Sequence, residues 1–123
     1  MQSLSVVIAN RDSQFASHLA ASLNPYFRNV SVVRSLDEVR NAIPKQRAQL
    51  AILDLELASV GEVEQIAREF NHTGIVCTHR IADDEMWTSA LAAGAIDCCQ
   101  NDDVASIVRA VDRHVKRARA NAA

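Results

Sequence analysis

The stretch of sequence that decides the fold is Leu50-Ala51-Ile52-Leu53-Asp54-Leu55-Glu56-Leu57. Its first four residues are all apolar, a pattern typical of a short strand that is buried on both faces of a sheet. An isolated charge is costly to bury, so an ionised Asp54 in mid-strand would need a partner. At the carboxyl end of a parallel strand the same carboxylate would open into the crevice where α/β sheets bind ligands. We therefore take Asp54 as a candidate functional residue at a strand end.

The composition is that of an ordinary globular domain. The 123 residues are 49% hydrophobic and 23% charged, with a net charge of −2, which predicts a single domain over residues 1–123 and no field that attracts nucleic acid or a membrane. No apolar run is long enough to span a bilayer, and the first residues lack a signal-peptide pattern, so we expect a cytoplasmic protein. Three cysteines in apolar runs predict reduced, buried thiols, and the adjacent Cys98 and Cys99 are expected on opposite faces of a strand.

Five short apolar segments alternate with amphipathic patterns along the chain. Strands are predicted at residues 4–9, 30–33, 50–54, 74–78 and 95–100. Strands that alternate with helices imply right-handed crossovers and a parallel sheet that is covered on both faces. The predicted fold class is therefore α/β, a three-layer, doubly wound, five-stranded parallel sheet.

Helix boundaries are predicted from capping and stop residues. Ser35 and Ser59 are each followed three residues later by a glutamate, which is the capping-box pattern. The first helix is predicted to end at Asn24-Pro25 and the second at Pro44.

The last two helices are predicted from their apolar stripes. Trp87 begins an i, i+3, i+4, i+7 stripe that runs to Gly94 and is predicted to face the core, with part of the Trp87 ring reaching the surface of the helix. The final helix covers about residues 103–119 and is predicted to be capped by Asp102 or Asp103.

Polar side chains follow the predicted strands at the points where they end. Asn10-Arg11-Asp12 comes after the first strand, Asp54 ends the third, Thr78 ends the fourth, and Gln100-Asn101-Asp102 ends the fifth. Because the carboxyl ends of the strands of a doubly wound sheet converge on one crevice, we expect these residues to form one site.

The residues that carry a resemblance to a known family are Asp54, Thr78 and the segment Ala92-Ala93-Gly94-Ala95 before the fifth strand. The chain resembles the receiver domain of two-component response regulators over its whole length. The resemblance implies a flavodoxin-like sheet in the order 2-1-3-4-5 and a signalling role without enzymatic activity. In that family an acidic pair after the first strand holds Mg²⁺, and the middle aspartate accepts a phosphoryl group from a histidine kinase. The family's conformational switch also uses a Thr or Ser, a Lys and an aromatic residue that moves inward. Its usual docking face, often for dimerisation, consists of the fourth helix, the fifth strand and the fifth helix.

The chain departs from the family at several of these positions. The acidic pair aligns with Asn10 and Arg11, the lysine with Asn101, and the switch aromatic with Cys98. Asp12 falls one residue beyond the family's acidic position. The resemblance therefore implies a degenerate acidic pocket in which Asp54 is retained.

The chemistry of these replacements favours a pseudo-receiver. Arg11 beside Asp54 would repel Mg²⁺, occupy the metal position and pair with the carboxylate. We therefore expect a domain with no cofactor, no metal and no catalytic residue, which signals independently of phosphorylation. Its expected partners are a signalling protein, an output domain reached through the final helix, or a second copy, with no direct contact to nucleic acid or membrane.

Two other interpretations remain open. In the first, the chain is an active phospho-acceptor that a histidine kinase modifies on Asp54, with Asp12 recruited as an Mg²⁺ ligand. In the second it is a small flavodoxin-like cofactor binder, against which the lack of a Gly-rich phosphate loop argues. The basic residues between Arg109 and Arg119 are interpreted either as a solvated helix end, as a linker into an output domain, or as a contact surface for an acidic partner.

Overall fold

The computed structural model describes the backbone of residues 4–81 and 83–122 and the side chains of residues 4–81 and 83–116. The strands are β1 (Ser5–Ala9), β2 (Asn29–Val33), β3 (Leu50–Asp54), β4 (Gly74–His79) and β5 (Asp97–Gln100). The helices are α1 (Ser13–Leu23), α2 (Leu36–Gln46), α3 (Val60–Glu69), α4 (Asp84–Ala92) and α5 (Val104–Ala122), with a short 3₁₀ helix (Asn24–Tyr26) after α1. Strands and helices alternate as predicted.

The five strands form one parallel sheet in the order β2-β1-β3-β4-β5, which confirms the predicted fold class and strand order. The central strands β1 and β3 are buried along their whole length, whereas the edge strand β2 is partly exposed. The parallel register pairs Asp54 with Thr78 at the carboxyl edge. Because all strands point the same way, their polar end residues meet at this edge.

Two apolar layers cover the sheet. One contains Ile52 and Cys99 and packs against α1 and α5, and the other contains Leu53 and Cys98 and packs against α2, α3 and α4. Successive strand residues belong to different layers because side chains alternate across a strand. The predicted separation of Cys98 and Cys99 is therefore confirmed, and both are free thiols.

The capping predictions are largely confirmed. Ser59 and Glu62 form the reciprocal capping box at the start of α3. At α2 the Ser35 hydroxyl accepts a hydrogen bond from the Glu38 backbone, but the Glu38 carboxylate accepts from the Ser35 hydroxyl instead of returning to the backbone. That cap therefore satisfies one backbone donor where a capping box satisfies two.

The predicted end of α2 at Pro44 is wrong, because the helix continues to Gln46. Proline lacks a backbone N–H, so it removes one hydrogen bond of the helix, the one to the carbonyl four residues earlier. The loss of one such bond is small in the last turn of a helix. Arg47 follows in the left-handed region with φ of 52° and donates its N–H back to the carbonyls of Ile43 and Pro44. This cap compensates for the interruption.

The predicted core position of Trp87 is also wrong, because its side chain is exposed at 46%. Ala90 of α4 and Ala93, which directly follows the helix, are buried against the sheet, and Met86 packs beside them. The indole N–H of Trp87 instead donates to Asp97 at the start of β5. The hydrogen bond to Asp97 thus holds the Trp87 ring at the surface, although the apolar stripe predicted that this ring faces the core.

The final helix begins at Val104, and Asp103 caps it by accepting from the Ser106 backbone. Its inner face buries Ile107, Val111 and Val115. The side chains of Arg117 and Arg119, part of the predicted basic tail, lie outside the described residues. In the part of the chain that the structure covers, no helix has the length and hydropathy that crossing a lipid bilayer requires.

Candidate functional site

Three buried polar residues lie at the carboxyl edge of the sheet. Asp54 ends β3 with 2% of its surface exposed, Thr78 is fully buried in β4, and Asn10 directly follows β1. Each comes two residues after a member of the layer under α1 and α5, so the three side chains share that face of the sheet. The predicted convergence of strand-end residues is therefore found for these three positions.

The Asp54 carboxylate receives little compensation for its burial. It accepts one hydrogen bond within the described residues, from the backbone N–H of Glu56 at 3.1 Å. Burial raises the pKa of Asp54 above its usual value, and the hydrogen bond from Glu56 lowers it only in part. The charge of Glu56 raises the pKa further, whereas His79 and Arg11 lower it. Asp54 is thus a carboxyl group whose ionised form the fold disfavours.

The predicted ion pair between Arg11 and Asp54 does not form. Arg11 is exposed, and no nitrogen of its side chain lies within 4.0 Å of a carboxylate oxygen in the described residues. The reason is a local turn, in which the Asn10 side chain accepts from the Asp12 N–H at 2.8 Å. This turn fixes the backbone around Arg11. Arg11 therefore acts on Asp54 only as a more distant charge.

The donor set around Asp54 does not match the preference of Mg²⁺ for clustered carboxylates and waters. Asp12 uses its carboxylate to accept from the backbone N–H groups of Gln14 and Phe15 and so caps α1. Glu56 pairs with Arg80 at 3.0 Å. Within residues 4–81 and 83–116, no three His, Cys, Asp or Glu side chains are grouped so that they could hold a metal.

The Thr78 hydroxyl is buried and has no hydrogen-bond partner among the residues that the structure describes. An unpaired buried hydroxyl costs about 1–3 kcal/mol, so native proteins keep few of them. Thr78 is also the register partner of Asp54. This arrangement suits a hydroxyl that is kept for a ligand beside the carboxylate.

The two remaining switch positions have different surroundings. Cys98 is buried as the register partner of Cys77 in β4, and burial raises the pKa of Cys98 to about 11 and that of Cys77 to about 12. Both thiols therefore stay protonated at neutral pH and fill the core. Asn101 lies in the turn after β5 and donates its backbone N–H to the carbonyl of His79.

Sequence reasoning missed the link between the loops that follow β3 and β4. Glu56 and Arg80 form an ion pair, each two residues beyond the register pair Asp54 and Thr78. Equal offsets from paired residues of parallel strands bring side chains together, so a predicted register would have revealed the pair. The link closes one side of the Asp54 site.

Replacing Asp54 with asparagine is expected to stabilise the protein at neutral pH by about 1 kcal/mol, an ordinary size for a single substitution. The raised pKa means that the folded state binds its proton more tightly than the unfolded state. Ionised Asp54 therefore destabilises the natural protein fully at pH values above its folded-state pKa, and this destabilisation disappears as the pH falls below the unfolded-state pKa. Urea unfolding of both proteins at several pH values would measure this. A gap that widens on acidification would contradict the assignment.

The comparisons with known proteins show the fold. No family model matches the sequence, and no curated protein matches it. A response regulator from Thermotoga maritima superposes with a TM-score of 0.83 at 16% identity, over 94% of this chain and 99% of that chain. An orphan response regulator of H. pylori gives 0.74 at 17% identity, over 88% and 96%.

A third solved structure is an atypical orphan response regulator, described as revealing a phosphorylation-independent regulatory mechanism. It superposes with a TM-score of 0.80 at 15% identity, over 92% of this chain and 96% of that chain. The fold implied by the resemblance in sequence is therefore confirmed: this chain has the fold of response-regulator receiver domains.

Proposed function

From this receiver fold, we propose that the chain is a signalling domain that acts through protein contacts and without a phosphorylation cycle at Asp54. The observation that carries the proposal is the donor set: a neutral Asn10 and an outward Arg11 stand where the family has two acids. Phosphoryl transfer relies on charge neutralisation of the phosphoryl oxygens, largely by Mg²⁺. The proposed domain is cytoplasmic, non-enzymatic and free of cofactors.

The proposed contact surface lies on α4, β5 and α5, as the resemblance implies. Trp87 and Ile96 are exposed there at 46% and 36%. Tryptophan is enriched among the residues that dominate binding energy at protein interfaces. The proposed partners are another signalling protein, an output domain or a second copy of this chain, with no direct contact to nucleic acid.

We expect no adduct at Asp54 when the protein is incubated with acetyl phosphate and Mg²⁺, because the site lacks the second carboxylate that Mg²⁺ prefers beside Asp54. Intact-mass spectrometry measures the phosphoryl adduct, and ¹⁵N NMR with beryllofluoride measures the non-covalent equivalent. An active response regulator in the same reaction is the positive control. A stoichiometric adduct that Asp54→Asn removes would overturn the proposal.

Two observations favour a second candidate, an active phospho-acceptor served by a histidine kinase. Within the part of the chain that the structure covers, the Asp54 carboxylate has no ion-pair partner and the buried Thr78 hydroxyl has no hydrogen-bond partner. For Asp12 to become the metal ligand of this candidate, its carboxylate would have to leave the cap of α1. The acetyl phosphate experiment decides between the two functions.

A further inference from the structure

A groove lies between the amino-terminal ends of α3 and α4, next to the end of β4. Its volume is about 350 Å³. Its apolar lining is Val60, Ile81 and Met86, and its polar lining includes His79, Asp83 and Glu85. We call it the α3–α4 groove. It lies on the opposite face of the sheet from the Asp54 side chain, but His79 directly follows Thr78 in the chain.

The apolar side of the groove is exposed and held in place. Ile81 is exposed at 61%, more than any other large hydrophobic residue that the structure describes. The Nδ1 atom of His79 lies 3.0 Å from both the N–H and the carbonyl oxygen of Ile81, so the ring holds the loop that carries this side chain. Met86, on α4, has a flexible side chain that adapts to different partners. The groove therefore offers preformed apolar surface to an incoming side chain.

The rim of the groove carries three consecutive, exposed carboxylates, Asp83, Asp84 and Glu85. They lie at the amino-terminal end of α4, where the helix dipole stabilises them, and Asp83 accepts from the Met86 backbone N–H. Within residues 4–81 and 83–116, no basic nitrogen lies within 4.0 Å of any of these carboxylates. The nearby Arg80 is engaged with Glu56. A partner with positive charge would therefore meet an acidic rim with which no basic side chain of the described residues is paired.

We propose that the α3–α4 groove binds a basic, aliphatic segment of a protein partner, with an aliphatic side chain against Ile81 and Met86 and lysine or arginine over the acidic rim. The inference rests on the proposed function, since it adds a second contact for a protein partner, separate from the surface of α4, β5 and α5. The groove is at the small end of ligand pockets, about 300–1,000 Å³, so it takes one or two side chains and not a large cofactor.

The experiment titrates a synthetic peptide of lysines and leucines at helical spacing into the ¹⁵N-labelled protein. We expect saturable shifts that centre on Val60, Ile81 and Met86. Ile81→Ser is expected to weaken binding about tenfold, because it removes apolar burial. Asp84→Asn with Glu85→Gln is expected to weaken it about threefold to tenfold, with a smaller effect at high salt.

The matched control is Asp37→Asn with Glu38→Gln, which neutralises two acids in the first turn of α2. It is expected to change the affinity less than about twofold, since charges more than a Debye length away are screened. Equal weakening by both double variants, shifts on another face, no binding, or equal binding of a glutamate–leucine peptide would overturn the inference. The titration uses unphosphorylated protein, so its failure is distinct from an adduct at Asp54, which would overturn only the proposed function.

Discussion

Replacing Asp97 with alanine is expected to lower the free energy of unfolding by about 2 kcal/mol and to shift the fluorescence of Trp87 to longer wavelength. Asp97 opens β5 and joins three elements through one carboxylate. One oxygen accepts from the Trp87 indole N–H at 3.2 Å and from the Cys98 backbone at 2.8 Å. The other accepts from Arg113 of α5 at 2.6 Å.

The size of this effect follows from the exposure of the groups. The Asp97 side chain is exposed at 19% and that of Arg113 at 60%, so water screens much of the ion pair. Most of the loss is expected from the hydrogen bonds that Trp87 and Cys98 donate to the carboxylate. A hydrogen bond to a charged group is worth roughly 1.5–3 kcal/mol, but the Trp87 bond is exposed and the Cys98 bond is only partly buried, so water replaces part of both. Asp97→Asn keeps the shape and is expected to lose about half as much.

Urea unfolding measures the stability, and acrylamide quenching of Trp87, the single tryptophan of the chain, measures its release from β5. Asp112→Asn is the matched control because it breaks another aspartate ion pair of α5, with Lys116. An exposed i,i+4 pair is worth about 0.3–0.5 kcal/mol. If Asp97→Ala costs no more than this control, the carboxylate does not join the three elements.

The fold was predictable because its strongest signal is local. The third strand was predicted as residues 50–54 and is found over Leu50–Asp54, because an unbroken apolar run meets a carboxylate at the edge of the sheet. Strand–helix alternation then requires parallel strands with right-handed crossovers. The meeting of Asn10, Asp54 and Thr78 at one edge follows from that topology.

The directions of individual side chains were less predictable. Arg11 was expected at Asp54, but it is exposed beside a turn in which the Asn10 side chain accepts from the Asp12 N–H, a contact that asparagine often makes. Trp87 was assigned to the core by its spacing, yet a partner ten residues later holds it at the surface. In both cases a single polar contact accompanies the direction of one side chain. Hydrophobic periodicity indicates only which face of an element is buried on average over several turns.

The double variant Arg11→Asp with Asn101→Lys is expected to bind Mg²⁺ at least tenfold more tightly than the natural chain and to accept a phosphoryl group on Asp54. Arg11→Asp removes two units of positive charge and Asn101→Lys adds one, so the double variant lowers the charge near Asp54 by one unit. Toward a doubly charged ion at ~8 Å and an effective dielectric constant of ~40, one unit is worth about 2 kcal/mol, more than the roughly 1.4 kcal/mol that corresponds to tenfold affinity. The new carboxylate also gives Asp54 the oxygen partner that a hard cation requires. Lysine at position 101 supplies a cation for the phosphoryl oxygens.

The matched control is Arg28→Asp with Asn101→Lys, which carries the same net charge. Arg28 is exposed and precedes β2, so it lies at the opposite edge of the parallel sheet. NMR titration with Mg²⁺ and intact mass after acetyl phosphate treatment measure the two outcomes. Equal Mg²⁺ affinity of both double variants would mean that net charge, not the position of Arg11, governs binding. Tight Mg²⁺ binding by the natural chain would show that Asn10 and Arg11 do not disable the pocket, and the second candidate function would then be preferred.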